Sequence, residues 1–319
     1  MNIIFFGTSE FALPALEKLK ASHMAPVLIV STPDKPRGRN LKLSPTPVTE
    51  WAEKNKIEVI TPEKLKDEET LNLLKEKNPD ICIVASYGKI IPKEILEIPQ
   101  KGTLNIHPSL LPKLRGPSPI QTAMLHNEET GVTIMLTDEE VDHGPILKSE
   151  KRKAKSEKLT YKQLEKELAE LGAGLLIEVL PKWISGKIKP KEQEHAKATF
   201  TKKISKEDGH INWNEPAEII ERKIRAYNPW PGTYTFFEQN NTPSTMLRAK
   251  KIRLIILEGE AIPMDKKLPP GTAYTFKNTL AVATSKDALL INKIKPEGKK
   301  EMTGEEFLKG YPDIIGILT

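Results

Sequence analysis

The first thirty residues constrain the fold more than any other part of the chain. A near-continuous apolar run, residues 2 to 6, stops at Gly7, and a helical pattern of Phe11, Ala12, Ala15, Leu16 and Leu19 follows, with Thr8 or Ser9 placed to cap it. A second apolar run, Val27 to Val30, comes next. Strand, glycine turn, helix and strand make a βαβ unit, which commits the chain to a parallel sheet. Such a sheet needs a large core, and 319 residues with 38% hydrophobic content are enough for two domains. The turn at Gly7 lacks the GxGxxG spacing of dinucleotide folds, so nicotinamide cofactors are not expected, although the helix start can receive an anionic group.

The remaining punctuation divides the chain. Thr32 to Pro47 holds four prolines, one glycine and four basic residues and reads as one long loop. Its Arg37, Arg39 and Lys42 are suited to clamping phosphates. Val48 to Lys54 and Glu68 to Lys75 read as helices, and Ile57 to Ile60 and Asp80 to Ser86 as strands. The second strand ends in Tyr87-Gly88, after which Ile90, Ile91 and Pro92 form an apolar loop able to wall a flat heterocycle, although Tyr87 and these isoleucines also serve cores. Thr160 to Ser185 is an amphipathic helix that closes the first domain. Between Gly186 and Ile204 lie six lysines and two glutamates, Lys187, Lys189 and Lys191 among them. This basic stretch is either a solvated face or a surface for a polyanion. Beyond it, a helix over Ala217 to Ala226 precedes five short β-like runs between Thr233 and Ile291, a pattern expected of a small barrel or sandwich, OB-like if it faces nucleic acid.

The chemistry concentrates in Asn105-Ile106-His107-Pro108-Ser109-Leu110-Leu111-Pro112. Gly102 to Leu104 reads as a short buried strand, and the prolines that follow forbid a continued ladder. Residues two apart on a strand project to one face, so the Asn105 amide and His107 imidazole converge. Two amide donors and a ring that exchanges a proton near neutral pH suit an acyl carbon passing through a tetrahedral state. A carboxylate such as Asp142 would orient the ring and favour its protonated form. The plainer alternative is that Asn and His at a strand end satisfy turn hydrogen bonds. Asp142 itself is one of four acids between Asp138 and Asp142, a composition typical of an exposed turn.

Several classes are excluded or disfavoured. No apolar run approaches the roughly 20 residues of a spanning helix, and the start lacks a signal peptide's basic n-region, so a cytoplasmic chain without membrane partners is expected. The single cysteine, Cys82, lies inside an apolar strand pattern, so neither an internal disulfide nor a thiolate metal site is expected. The formal charge of +6 is modest.

Taken together, Gly7 to Pro14, the loop Asp34 to Pro47, Tyr87-Gly88, Asn105 to Pro112, Arg115-Gly116-Pro117-Ser118-Pro119-Ile120-Gln121 and Asp142-His143-Gly144 give a chain that resembles the methionyl-tRNA formyltransferase family along nearly its full length. The catalytic segment with Asp142 marks only the wider group of formyltransferases and hydrolases that use 10-formyltetrahydrofolate. The segments Arg225 to Gly232 and Lys295 to Met302 narrow it to enzymes with this second domain. Pro108 and Glu140 stand where glycine is usual in the family; neither change removes a reacting group.

The resemblance implies a Rossmann-like, mostly parallel catalytic domain (residues 1–185), a basic linker (186–206) and a C-terminal OB-like domain that binds tRNA (207–319). It carries over Asn105, His107 and Asp142 as the catalytic trio, and Ser109, Leu110, Leu111 and Pro112 as folate contacts beside Tyr87, Gly88 and Ile90. It makes Arg39 a basic residue of a loop approaching the tRNA acceptor end. The implied reaction takes the formyl group of 10-formyltetrahydrofolate to the α-amine of methionyl-initiator tRNA, without a metal or a protein nucleophile, in a chain expected to be monomeric. Two rivals are a formyltransferase for a UDP-amino sugar, which would share the trio, and a noncatalytic RNA-binding protein, which would not need it.

Overall fold

The computed structural model describes residues 1–37, 42–153, 158–239, 250–311, 314 and 318. The chain divides into two compact units, Met1–Ile120 with Glu129–Glu157 and Gln163–Lys202, and Gln121–Glu128 with Lys158–Lys162 and Lys203–Thr319.

The first unit opens with β1 (Ile3–Gly7), α1 (Leu13–Ala21) and β2 (Leu28–Val30). A short hairpin, β3 (Lys35–Arg37) and β4 (Lys42–Ser44), leads to α2 (Pro47–Lys54) and β5 (Val59–Ile60). Then come α3 (Glu68–Glu76), β6 (Ile81–Ala85), α4 (Lys93–Leu96), β7 (Thr103–His107), α5 (Pro119–His126, most of which belongs to the second unit), β8 (Gly131–Leu136), β9 (Ile146–Lys151) and α6 (Tyr161–Ile184). The seven-stranded sheet has the order β5-β2-β1-β6-β7-β8-β9. Its first five strands are parallel and its last two antiparallel. β1, β2 and β6 are buried throughout, which is why their sequences are continuous apolar runs rather than alternating ones. The chain leaves β1 toward β2 and later returns to its other side as β6. That reversal of strand order is where open α/β sheets form a crevice at the strands' carboxyl ends.

Thr32 to Pro47 is not wholly irregular, as the prolines suggested. Lys35 pairs with Ser44, Pro36 with Leu43 and Arg37 with Lys42. A two-stranded ribbon accommodates Pro36 because each strand needs ladder partners on one side only. The Thr46 hydroxyl accepts from Thr49 N at 3.1 Å and caps α2. Arg39 lies outside the described residues.

β7 runs on through Asn105 to His107, past the Gly102–Leu104 stretch expected of it. Its pleat separates two environments. A Cβ on Gly172 of α6 would lie 2.6 Å from Ile106 Cγ2, so α6 packs directly on the Ile106 side. Asn105 and His107 project to the opposite side.

The second unit holds α7 (Ala217–Tyr227), β10 (Thr233–Gln239), β11 (Lys250–Ile262), β12 (Ala273–Phe276), β13 (Thr279–Ala283), β14 (Ala288–Pro296), β15 (Met302–Thr303) and α8 (Gly304–Gly310). Its sheet is antiparallel, in the order β10-β11-β14-β13-β12, with β15 on β14. Leu254, Ile256, Val282, Leu289 and Ile291 pack with Ile220 and Ile224 of α7 and Phe307 of α8. Among the described residues β10 and β12 end the pairing path, so an antiparallel sheet is established and barrel closure is not.

Candidate active site

Asn105, His107 and Asp142 come together although 37 residues separate the first from the last. Asn105 Nδ2 donates to Asp142 Oδ1 at 3.2 Å, and His107 Nδ1 lies 3.4 Å from the same oxygen. The His107 ring is buried, with Nε2 3.0 Å from the carbonyl of Leu114. A carbonyl only accepts, so Nε2 carries a proton. Nδ1 also faces an acceptor, and the ring meets both partners as a donor only when it holds both protons. One hydrogen of the half-buried Asn105 amide is used on Asp142, and an amide nitrogen carries a second.

Asp142 is fixed from two directions. Gly116 N donates to Oδ2 at 2.7 Å. The buried Gln193 amide donates to the backbone carbonyls of Asp142 (3.0 Å) and Gly144 (2.7 Å), pinning a loop in which Asp142 takes a left-handed φ of 51°. Gln193 Oε1 in turn accepts from Arg115 Nε at 3.2 Å and Nη2 at 2.7 Å. Arg115 Nη2 also donates to His195 Nδ1 at 2.9 Å, which places the His195 proton on Nε2. His195 stacks on His143, centroids 4.1 Å apart, and His143 Nδ1 donates to Asp138 Oδ2 at 2.7 Å.

The loop after β7 is wound so that Leu114 can reach His107. Leu114 has φ 61° and its N–H donates to Thr199 Oγ1 at 2.8 Å. Thr133, opposite His107 in the β7–β8 ladder, donates to Ser109 O and accepts from Leu111 N. Ser109 is buried and its hydroxyl donates to Lys113 O at 2.6 Å, so it shapes this loop rather than offering a free polar group. Leu111 is also buried; Leu110 and Pro112 are half-buried.

Tyr87, Gly88 and Ile90 follow the carboxyl end of β6, the strand between β1 and β7. The Tyr87 ring meets Phe6 edge-on at 5.5 Å. Its hydroxyl is buried without a partner, as is that of Thr8 after β1. Burial pushes the phenol up to about 12. Gly88 is open, and Ile90 is 81% exposed.

Sequence reasoning missed Gln193, Arg115, Thr133, His195 and the Leu114 carbonyl as parts of the site. Lys191 exchanges two backbone hydrogen bonds of 2.8 Å with Ile146, and Thr199 and Thr201 bond the 114–118 loop, so much of the lysine-rich stretch is built into the surroundings of Asp142. Lys187, Lys189 and Lys191 are exposed. Arg37 and Lys42 face each other in the β3–β4 backbone register. Among the described residues no His, Cys, Asp and Glu group could hold a metal ion, and no helix is long and apolar enough to cross a membrane.

Fold and site together define a formyl transferase: residues 1–180 match the formyl transferase family and residues 203–312 match the formyl transferase C-terminal domain. The methionyl-tRNA formyltransferase of Syntrophomonas wolfei is 40% identical over all of this chain and 98% of its own. That of Thermodesulfovibrio yellowstonii is 42% identical over 97% of this chain and 96% of its own. The chain belongs to the methionyl-tRNA formyltransferase family. Solved structures share the fold at low identity. HypX from Aquifex aeolicus in complex with tetrahydrofolic acid matches with a TM-score of 0.63 and 16% identity over 98% of this chain, which spans 47% of HypX. The sugar 3N-formyl transferase WlaRD matches with a TM-score of 0.61 and 18% identity over 94% of this chain and 99% of its own.

Proposed function

We propose that the protein transfers the formyl group of 10-formyltetrahydrofolate to the α-amine of methionyl-initiator tRNA, giving the formylated aminoacyl-tRNA that starts translation. The observation that carries this reading is the convergence of Asn105, His107 and Asp142 in a chain related end to end to methionyl-tRNA formyltransferases.

The residues present fit a reduced folate. A pteridine needs a flat apolar wall and hydrogen-bond partners; the Tyr87 ring, the open Gly88 and the exposed Ile90 provide the wall, and the buried, partnerless hydroxyls of Tyr87 and Thr8 would bond a ligand that uncovers them. Leu110 and Pro112 extend the wall, while Ser109 and Leu111 set its backbone. When bound, the folate supplies an activated formyl carbon with N10 as leaving group.

The chain's own groups do the rest. Asn105 donates its second amide hydrogen where negative charge develops on the formyl oxygen. His107 donates from Nδ1 or through a bridging water toward the departing nitrogen. Asp142, held by Gly116 N and Gln193, orients both donors and accepts a proton from the attacking amine. No protein nucleophile enters this scheme. Lys187, Lys189 and Lys191, with Arg37, Arg39 and Lys42, are assigned to tRNA phosphates, and the C-terminal unit to an OB-like support for the tRNA. The protein acts in the cytoplasm as a monomer.

The test mixes purified protein and 10-formyltetrahydrofolate with either methionyl-initiator tRNA or a UDP-amino sugar. Product on the tRNA alone is the expected result. Product on the sugar alone would leave the trio standing and overturn the tRNA assignment; product on neither would overturn the active site.

A further inference from the structure

Phe200 is 71% exposed, yet its backbone is held on both sides. Arg115 N donates to Thr199 O at 2.9 Å and Thr201 N donates to Arg115 O at 2.7 Å, so the peptides flanking Phe200 both bond to one buried arginine. The next residue, Gly116, donates to Asp142 Oδ2. A Cβ on Gly116 would meet Thr201 Oγ1 at 2.8 Å, so the two strands touch with nothing between them. Phe200 therefore stands one backbone rung and one residue from the carboxylate at the reacting centre. Its ring lies 5.9 Å from the Arg115 guanidinium carbon and is otherwise open.

We propose that Phe200 is the platform on which the terminal base of the aminoacyl-tRNA stacks. The inference rests on the functional reading above and names the group that positions the substrate there. The amine that receives the formyl group is joined through an ester and a ribose to the terminal base. Wherever that amine meets Asn105 and His107, the base falls close by. Every base has a π-face, and aromatic side chains are its usual stacking partners in single-stranded nucleic acid sites. Lone exposed apolar residues are common on protein surfaces. Phe200 differs from them in being tied by backbone hydrogen bonds to the loop that holds Asp142. An enclosed pocket would be needed to select the methionine side chain, and a ring this open suits a flat base instead.

The test uses methionyl-initiator tRNA carrying 2-aminopurine in place of its terminal adenine. Binding to the wild-type protein should quench its fluorescence through stacking. Phe200→Ala and Phe200→Leu should lose the quench and raise the KM for the tRNA about tenfold, with kcat changing much less, whereas Phe200→Trp should retain both properties. Phe200→Leu keeps an apolar side chain, so its loss together with an unchanged melting temperature separates stacking from folding. A quench and KM in both variants equal to wild type would overturn the platform while leaving the formylation reading intact. A wild-type protein that formylates no tRNA would overturn both.

Discussion

The surroundings of the carboxyl ends of β6 and β7 treat their polar groups in opposite ways. At the end of β7, the side chains of the trio already have protein partners: Asp142, from the β8–β9 loop, with Gly116, Asn105 and His107, and His107 with the Leu114 carbonyl. After β6 and β1, the hydroxyls of Tyr87 and Thr8 are buried and have none. A buried hydroxyl without a partner is costly to folding, by about 1–3 kcal/mol. A site that keeps such groups gains when a ligand satisfies them. A site whose polar groups are already bonded is prearranged for chemistry. Under the proposed function, the β7 side is the reacting centre and the β6 side the place where the donor is held.

Substitutions can break or sharpen this contrast. The largest effect is expected at Asp142. Asp142→Asn retains an acceptor for Gly116 N but removes the charge facing His107 and the proton acceptor, so kcat should fall by roughly 10²- to 10⁴-fold. Steady-state rates with saturating tRNA and folate measure this, and a change confined to KM would move Asp142 out of the chemistry.

Next comes Gln193. Gln193→Glu would still accept from Arg115 but would turn a carboxylate toward the carbonyls of Asp142 and Gly144, so neither pin on the loop survives. About tenfold in kcat is expected, with little change in either KM, if the pins govern Asp142 orientation. Equal kcat in variant and wild type would reduce Gln193 to a packing role.

Tyr87→Phe should act on the other side of the contrast. It removes a hydroxyl that bonds to nothing in the protein, so the melting temperature should not fall. The folate KM should rise about fivefold, the equivalent of one hydrogen bond of about 1 kcal/mol. Burial keeps this phenol protonated to about pH 12, so it stays a donor across the working range and should add no inflection to the folate KM between pH 7 and 10. An unchanged KM in Tyr87→Phe would mean that the hydroxyl is merely buried.

The smallest effect is electrostatic. Replacing Lys187, Lys189 and Lys191 by alanine should flatten the dependence of log KM for tRNA on log salt, by about 0.7 to 0.9 for each phosphate that the protein no longer neutralises. An identical slope would make these lysines a solvated face.

Much of this arrangement was legible in the sequence because it depends on local periodicity. The apolar runs placed β1, β2 and β6, and the spacing of Leu164 to Leu180 placed α6. The two-residue spacing of Asn105 and His107 anticipated one shared face. The supports of Asp142 were not legible, because Arg115 and Gln193 lie 78 residues apart and no periodicity joins them. Gln193 was concealed in a stretch whose lysines dominated its reading. Asp142 looked like any acid of an exposed turn; what singles it out is a left-handed backbone and a hydrogen bond from Gly116. Helix α8 had a readable signal, since Thr303 and Glu306 form a capping box at its start.

The most direct test of the central claim is the single-turnover rate of formyl transfer by Asn105→Ala at saturating folate and tRNA, measured beside the equilibrium affinity for the tRNA. The rate should be lower by a hundredfold or more with the affinity within about twofold of wild type. A rate that falls only as far as the affinity does would contradict that claim, because Asn105 would then hold the substrate without stabilising the charge that forms on it.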